Sequence, residues 1–578
     1  MALADRRDDF MLHDHGHGPH DHSHGEHDHT HSEPLDPALD MSVEDGDLSP
    51  GQLNRRGFLR NAGLLGAGAT ATVLGAGGAA DAAAAPSDRR SRRGGYLWLA
   101  GDHHIHTQFS PDGLYRVIDH AQHAHAFGLD WMVITDHGSI QHARIGVERV
   151  NPEIVAARRE IEDLLVFQGL EWNIPAAEHG TVFVHPGRNE VAVLKQFENS
   201  YDGAVRGATA NTSANETLAV TGLKWLASAV EGRRVSDALM LANHPSRKGI
   251  DSPHEIRGWR DAAPRIAIGM EGAPGHQAAA IPEPSGPGSG RGYYDSSPDP
   301  AASFPGYPLE SYRTFGGFDW MTATVGGLWD SMLAEGKPWW ITANSDSHVV
   351  WADTAQRGPN SNFQENGFYN DPVHQTAPLL DAGDFWPGFY SRTHVGATGF
   401  GYRQVMAGLR AGRVWVDHGS LLEALDVRLV AGGDEVPLGG VLTVRRGTPV
   451  RLRIRIRPAR LPNWSQFVPR LAKVDVIRGA VTGPVRNRDS FTAPDTRVVR
   501  SYDVSGDTGL ITLDYALGRL DQGFYVRLRG SDGKQLAPGL RGAAVDPAGP
   551  ALDVVGNDDP WDDLWFYTNP MWVLPSRS

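Results

Sequence analysis

Gly101-Asp102-His103-His104-Ile105-His106-Thr107-Gln108-Phe109-Ser110-Pro111-Asp112-Gly113 follows the apolar run Tyr96-Leu97-Trp98-Leu99. That run predicts a short strand. Along a strand, residues i and i+2 face the same side, so His104 and His106 aim two imidazoles at one point. Neutral imidazoles at this spacing begin a divalent-metal site. Asp112 adds a hard oxygen ligand soon after. One His-x-His decides little; its weight comes from what recurs downstream.

Leu114 to Phe127 predicts a helix, and Leu129 to Ile134 a strand that ends in Thr135-Asp136-His137. A helix over Pro152 to Asp163 precedes Leu164-Leu165-Val166-Phe167, which runs into Gly169-Leu170-Glu171-Trp172-Asn173. His179 to His185 predicts another strand. A helix around Ala214 to Glu231 leads to Ala238 to Ala242 and then Asn243-His244-Pro245. Arg265 to Met270 ends at Glu271, and Pro338 to Ala343 ends in Asn344-Ser345-Asp346-Ser347-His348. Apolar strands alternate with helices, and most carry His, Asp or Glu just past their C-terminal ends. This is the layout of an α/β barrel with its chemistry on one face. His179 is the exception, because it opens its strand, whereas His185 closes it.

In this combination the stretch from Tyr96 to His348 resembles the PHP (polymerase and histidinol phosphatase) family, with its H-x-H, T-D-H, lone Glu, two further histidines and closing D-x-H. The resemblance implies a distorted seven-stranded barrel holding two or three divalent metal ions (Zn, Mn or Fe). His104, His106, Glu171 and Asp346 would hold one ion. Glu171 would bridge to a second, with His179 and His244, His185 being the alternative to His179. Asp112, His137 and His348 would hold a third. Asp112 stands where some relatives have His, which hardens that site. Ser391-Arg392-Thr393-His394-Val395, Val414-Trp415-Val416 and Tyr567 to Val573 are similar to the carbaryl-hydrolase-like branch of the family, which carries a C-terminal β-rich extension.

The expected chemistry is hydrolysis of a small-molecule ester, with a phosphoric ester favoured, by hydroxide formed at the metals; ions about 3.5–4 Å apart can hold both the attacking and the leaving oxygen. Glu171 and Asp346 are the expected catalytic carboxylates, and Arg247 the residue that neutralises a phosphate, although it reads equally as a surface charge. A carbamate, amide or carboxylic ester hydrolase on the same site is the second reading. A non-catalytic binding protein is the third.

The 578 residues allow three or four structural units at about 150 residues each. There is no cysteine, so disulfides, thiolate metal sites and a cysteine nucleophile are excluded. The net charge of −15 comes with no large basic patch, which offers no case for nucleic-acid binding. Residues 1–50 predict a disordered His-rich tail, read either as loose metal capture or as tolerated low complexity. Residues 51–85 resemble a twin-arginine export signal: Arg55-Arg56-Gly57-Phe58-Leu59, a Gly/Ala-rich run, and A-x-A sites at Ala80, Ala82 and Ala84. The run is too rich in Gly and Ala for a stable membrane span. The expectation is export by the twin-arginine machinery, with cleavage near residues 82–86.

Residues 94–420 are expected to form the barrel, with a long Pro/Gly/Ser-rich insert over 273–318 that acts as a lid or hangs loose. The loop Ala352 to Phe389 is placed to border the site. Residues 421–578 predict a β-sandwich-like domain: Asp426 to Val430, Val450 to Ile456, Val474 to Ile477 and Phe524 to Leu528 alternate apolar with polar residues. Their arginines predict one wet face, solvated or anion-binding.

Overall fold

In the computed structural model, residues 92–93 and 95–576 are described. The His-rich tail and the twin-arginine segment lie outside them. Seven strands position the site: β1 (Tyr96–Asp102), β2 (Trp131–Ile134), β3 (Leu165–Asn173), β4 (His179–Val184), β5 (Ala238–Ala242), β6 (Ala267–Ala273) and β7 (Trp340–Ala343). They lie side by side in the order β7-β6-β5-β4-β3-β2-β1. Beyond the ends of β1 and β7, Ile105 pairs with Ser347, and the His106 N–H donates to the Ser347 carbonyl at 3.0 Å. The first and last strands therefore meet on the side where the site residues gather. Helices Val117–Ala126, Val147–Glu160, Glu190–Tyr201, Ser213–Glu231 and Pro253–Ala262 join the strands, so the chain is α/β as expected.

The strands lie parallel with one exception. β4 pairs antiparallel with both β3 and β5. Its first residue, His179, therefore lies beside the C-terminal ends of its neighbours, which resolves the anomaly in the sequence pattern. His185, past the far end of β4, gives its Nδ1 to the Pro186 carbonyl at 2.8 Å and takes no part in the site.

One helix differs from expectation. Val147–Glu160 starts earlier than Pro152, which lies inside it, and the π-helical turn His142–Gly146 leads into it. Proline cannot donate to the Glu148 carbonyl, and Glu148 is exposed.

Beyond the seven strands come β8 (Ser391–Ala397), β9 (Val414–His418), β10 (Leu422–Ala431), β11 (Pro449–Pro458), β12 (Lys473–Ala480), β13 (Arg497–Asp503), β14 (Ile511–Arg519), β15 (Phe524–Ser531), β16 (Trp565–Thr568) and β17 (Met571–Pro575). β8 pairs antiparallel with β1, and the ladder runs on without a break through β9, β16, β15, β12 and β13. A second sheet contains Asp434–Val436, β10, β11 and β14. Leu425, Val427 and Ile454 of this sheet share one buried cluster with Val474, Val526 and Phe566 of the long one. Each such side chain stabilises the packing by about 1.5–3 kcal/mol.

The arginines of these strands divide into two kinds. Arg451 and Arg453 of β11 face water and pair with Asp514 and Glu435. Arg527 and Arg529 of β15 are fully buried, contrary to the wet face expected there. Strand β15 is covered on both faces, so its polar positions are matched by acids: Arg527 by Asp330, Arg529 by Asp475 and Asp546. Among the described residues, no helix is long and apolar enough to cross a membrane.

Candidate metal centre

The approach to the site is fixed by Asp102, the last residue of β1. Its buried carboxyl accepts the His104 N–H at 2.9 Å and the Ser345 N–H at 2.9 Å, tying the ends of β1 and β7 together. Burial pushes this carboxyl up to about 7 against those two hydrogen bonds.

Glu171 stands at the centre, 1% exposed. Its Oε1 lies 3.1 Å from His104 Nε2, 3.1 Å from His179 Nδ1 and 3.2 Å from His244 Nε2. Its Oε2 lies 2.8 Å from His137 Nδ1 and 3.4 Å from His106 Nε2. Asp346 Oδ1 is 3.0 Å from His104 Nε2 and 3.2 Å from His106 Nε2. Asp112 is half exposed at the edge, with Oδ2 3.0 Å from His137 Nε2 and Oδ1 3.5 Å from His348 Nε2. All nine residues expected to bind metal are thus brought together. Potential ligand atoms converge within 4.8 Å of one another in His104/His106/Asp346, in His106/Asp112/His137/His348 and in His137/Glu171/His179. His244 enters through its approach to Glu171.

Three residues of the site carry backbone strain. His244, His276 and Asp346 have φ of 30°, 51° and 48°, in the left-handed region that non-glycine residues avoid. At Gly275 a Cβ would fall 2.1 Å from the Asp346 Cβ, so only glycine allows this approach.

Charge is shared unevenly. Burial disfavours a charged His104, yet Asp346, Glu171 and Glu271 outweigh it and hold the ring well above the usual histidine range. Burial, with His348 and His137 beside it, holds His106 well below that range. Burial opposes ionised Glu171, but His179, His104 and His137 keep its carboxyl well below the usual carboxylate range.

The donor set fits divalent cations. Nε2 of His106, Nδ1 of His179, Nδ1 of His244 and Oδ1 of Asp346 are buried and complete no hydrogen bond. Buried polar atoms are nearly always paired. Here the atoms left over are imidazole nitrogens and a carboxylate oxygen, the donors that Zn, Mn and Fe take.

Three contributors escaped the sequence analysis as site residues. Glu271 Oε1 lies 2.7 Å from His104 Nδ1, and its Oε2 accepts the His244 N–H at 2.7 Å. Its place at a strand end was the available signal. His276 lies between two carboxylates, with Nε2 2.9 Å from Asp346 Oδ2 and Nδ1 2.5 Å from Asp384 Oδ1. Asp384 also accepts the N–H groups of His348 and Val349 at 2.6 and 2.9 Å. Nothing local in the sequence marks this pair.

The centre opens into a cavity of about 540 Å³. Arg247 lines it, with its Nη2 4.0 Å from Glu178 and its Nε buried without a partner. Lys248 instead pairs with Glu178 at 3.2 Å and is half exposed. The 273–318 insert is packed rather than loose: Ala278, Tyr294 and Tyr312 are buried, and His276 and Tyr293 wall the cavity. The 352–389 loop adds Leu379, Asp381 and Asp384. A larger cavity of about 750 Å³ lies elsewhere, lined by Trp98, Phe127, His394, Trp415, Arg457 and Trp464 among others. Its one histidine, His394, is stacked on Trp415 and paired with Asp417, so the metal-type chemistry belongs to the smaller cavity.

Such a cluster of imidazoles around a buried carboxylate makes a candidate metal centre in an α/β protein. A sequence-family profile described as the PHP domain matches residues 102–232. Comparison with curated proteins found no match. Among solved structures, one similar chain is a two-domain protein from Bacteroides vulgatus described as containing a "predicted PHP-like metal-dependent phosphoesterase". It is 15% identical, with TM-score 0.29, covering 75% of this chain and 91% of that one. Another, from Bifidobacterium adolescentis and provisionally described as a metal-dependent phosphoesterase, is 15% identical, with TM-score 0.19, covering 30% of this chain and 77% of that one.

Proposed function

We propose that this protein is a metal-dependent phosphoesterase, working with two or three divalent ions held by the nine residues named above. The observation that carries the reading is the position of Glu171, a buried carboxylate with five histidines around it and a buried, unpartnered Arg247 Nε in the same cavity. When bound, such ions supply Lewis acidity toward a phosphoryl oxygen and a water that is activated near neutral pH. Glu171 then offsets the repulsion between neighbouring cations. Asp346 keeps His104 and His106 converged. Arg247 meets a phosphoryl oxygen with a charge-assisted hydrogen bond. Glu271 fixes the His104 ring, as carboxylates beside metal-binding imidazoles do. The same reading takes the seven strands as a distorted barrel, and the far end of the long ladder with the second sheet as a β-sandwich.

The apolar part of the cavity wall, Val349, Leu379 and Ala382, supports a second reading: hydrolysis of a carbamate, amide or carboxylic ester, as the carbaryl-hydrolase-like stretches imply. The purified, metal-loaded chain is expected to hydrolyse p-nitrophenyl phosphate or bis-p-nitrophenyl phosphate faster than naphthyl acetate or naphthyl carbamate. The reverse order favours the second reading, and metal binding with no turnover on any of them overturns both. Export is part of the proposal, on the strength of Arg55-Arg56-Gly57-Phe58-Leu59 and the small residues at Ala80, Ala82 and Ala84. Mass spectrometry of the mature chain is expected to place its N-terminus near residues 82–86; a cell-associated chain retaining residue 60 counts against it.

A further inference from the structure

The larger cavity shares no lining residue with the one over the histidine cluster. Strand register places Trp98 of β1 opposite Gly396 of β8, Ala100 opposite His394, and His394 opposite Trp415 of β9. Side chains two apart share a face, so Trp98, Arg392, His394 and Trp415 stand together on one side of this ladder. The other side, with Leu99, Val395, Val414 and Val416, is packed into the main core. Glu423 of β10, Arg457 of β11 and the loop 459–464 help to complete the lining. The volume, about 750 Å³, is that of a small-molecule site. The loop is held in place. The Ala459 N–H donates to the Leu421 carbonyl at 3.1 Å, Asn463 Nδ2 donates to the Gly419 carbonyl at 3.1 Å, and Trp464 meets Phe127 edge to face with centroids 5.0 Å apart.

Much of the charged lining is already matched. Arg460 donates to Glu423 at 2.9 Å, and Arg392 donates to the Gly388 and Phe127 carbonyls at 3.0 and 3.1 Å. His394 lies flat on Trp415, with centroids 3.6 Å apart, and its Nε2 donates to the buried Asp417 at 2.9 Å. Two lining groups are left over. Arg457, half-buried, forms no hydrogen bond or ion pair with any described residue, unlike Arg451 and Arg453 of the same strand. His394 Nδ1 has no hydrogen-bond partner among the described residues either, and with the proton on Nε2 it is an acceptor. A guanidinium without a counter-ion calls for an anion, and an acceptor calls for a hydroxyl. Half-buried Trp98 and Trp464 offer indole surface, against which the C–H face of a saturated ring packs. A flat aromatic acid would leave Nδ1 unsatisfied, and a neutral sugar would leave Arg457 without its anion. We propose that this cavity binds a sugar bearing a carboxylate, a uronate either free or within a polysaccharide. Its carboxylate meets Arg457, a ring hydroxyl meets His394, and the pyranose face packs on tryptophan.

The test is calorimetric titration of the full chain with galacturonate and trigalacturonate, each against its methyl ester, which keeps the rings and hydroxyls but drops the charge, and with naphthoate. The uronates are expected to bind about tenfold more tightly than their esters, the scale of one charge-assisted hydrogen bond. Arg457→Gln is expected to erase that difference while leaving the metal content unchanged. Trp464→Ala is expected to weaken acid and ester alike. Tighter binding of the trimer than of the monomer assigns the site to a polysaccharide, and equal binding assigns it to the free sugar. Esters bound as tightly as the acids, a preference that survives Arg457→Gln, tighter binding of naphthoate than of either uronate, or no saturable binding of either uronate overturns the inference.

Discussion

Replacing Asp346 by alanine is expected to lower kcat/KM by ~10³-fold or more and to reduce the metal bound per chain. Oδ1 of this carboxylate faces His104 and His106 at 3.0 and 3.2 Å, and its Oδ2 is held by His276 at 2.9 Å. Its removal leaves imidazoles facing one another with less negative charge to gather a cation. Metal-derived charge stabilisation amounts to several kcal/mol in the transition state, and about 4 kcal/mol corresponds to ~10³ in rate. Glu271→Gln is the milder companion. It keeps the shape but weakens the hold on His104, at an expected ~10–100-fold in metal affinity. Elemental analysis reads the metal, steady-state kinetics the rate, and circular dichroism the fold. A folded Asp346→Ala chain with full metal and undiminished turnover would remove this carboxylate from the chemistry.

The largest expected effect on stability lies outside the candidate metal centre. Asp330 and Arg527 are both fully buried and meet through two hydrogen bonds, of 2.9 and 2.8 Å. Asp330 also accepts from the Tyr525 hydroxyl and the Gly326 N–H, and the Arg527 guanidinium lies 4.5 Å from the Trp329 ring centroid. Asp330→Ala strands a guanidinium in the interior, at an expected cost of ~3–5 kcal/mol. The double variant Asp330→Ala/Arg527→Met removes both charges and is expected to cost less than Asp330→Ala alone. Chemical denaturation of the three chains gives the comparison, and a double variant no more stable than Asp330→Ala would refute it.

Much of the site was legible because its residues follow apolar runs within two to five positions of the strand end. His104, His106, His137, His244, Asp346 and His348 all come just after a strand. Two kinds of information were not. Strand direction is invisible in a short apolar run, and the reversal of β4 is what brings His179, rather than His185, to the cluster. Pairings across long sequence distances are equally silent: His276 meets Asp346 and Asp384 only after three separate loops fold together. The alternation in β15 misled for a different reason. Period two reports which residues share a face, not whether that face meets water. Here both faces are covered, and Asp330, Asp475 and Asp546 stand where solvent was expected.

The unbroken ladder from β1 through β8 and β9 to β16 has a mechanical consequence. Asn569 receives the Ile341 N–H at 2.8 Å and returns a hydrogen bond to the Ile341 carbonyl at 3.3 Å, clamping the strand that ends three residues before Asp346. The Thr393 hydroxyl grips Ala343 in the same two-way manner. The C-terminal third thus acts as a splint for the strand that leads to the candidate metal centre. A chain cut after residue 420 would keep the Thr393 grip but lose the Asn569 clamp, and would bare the β9 edge to sticky intermolecular pairing.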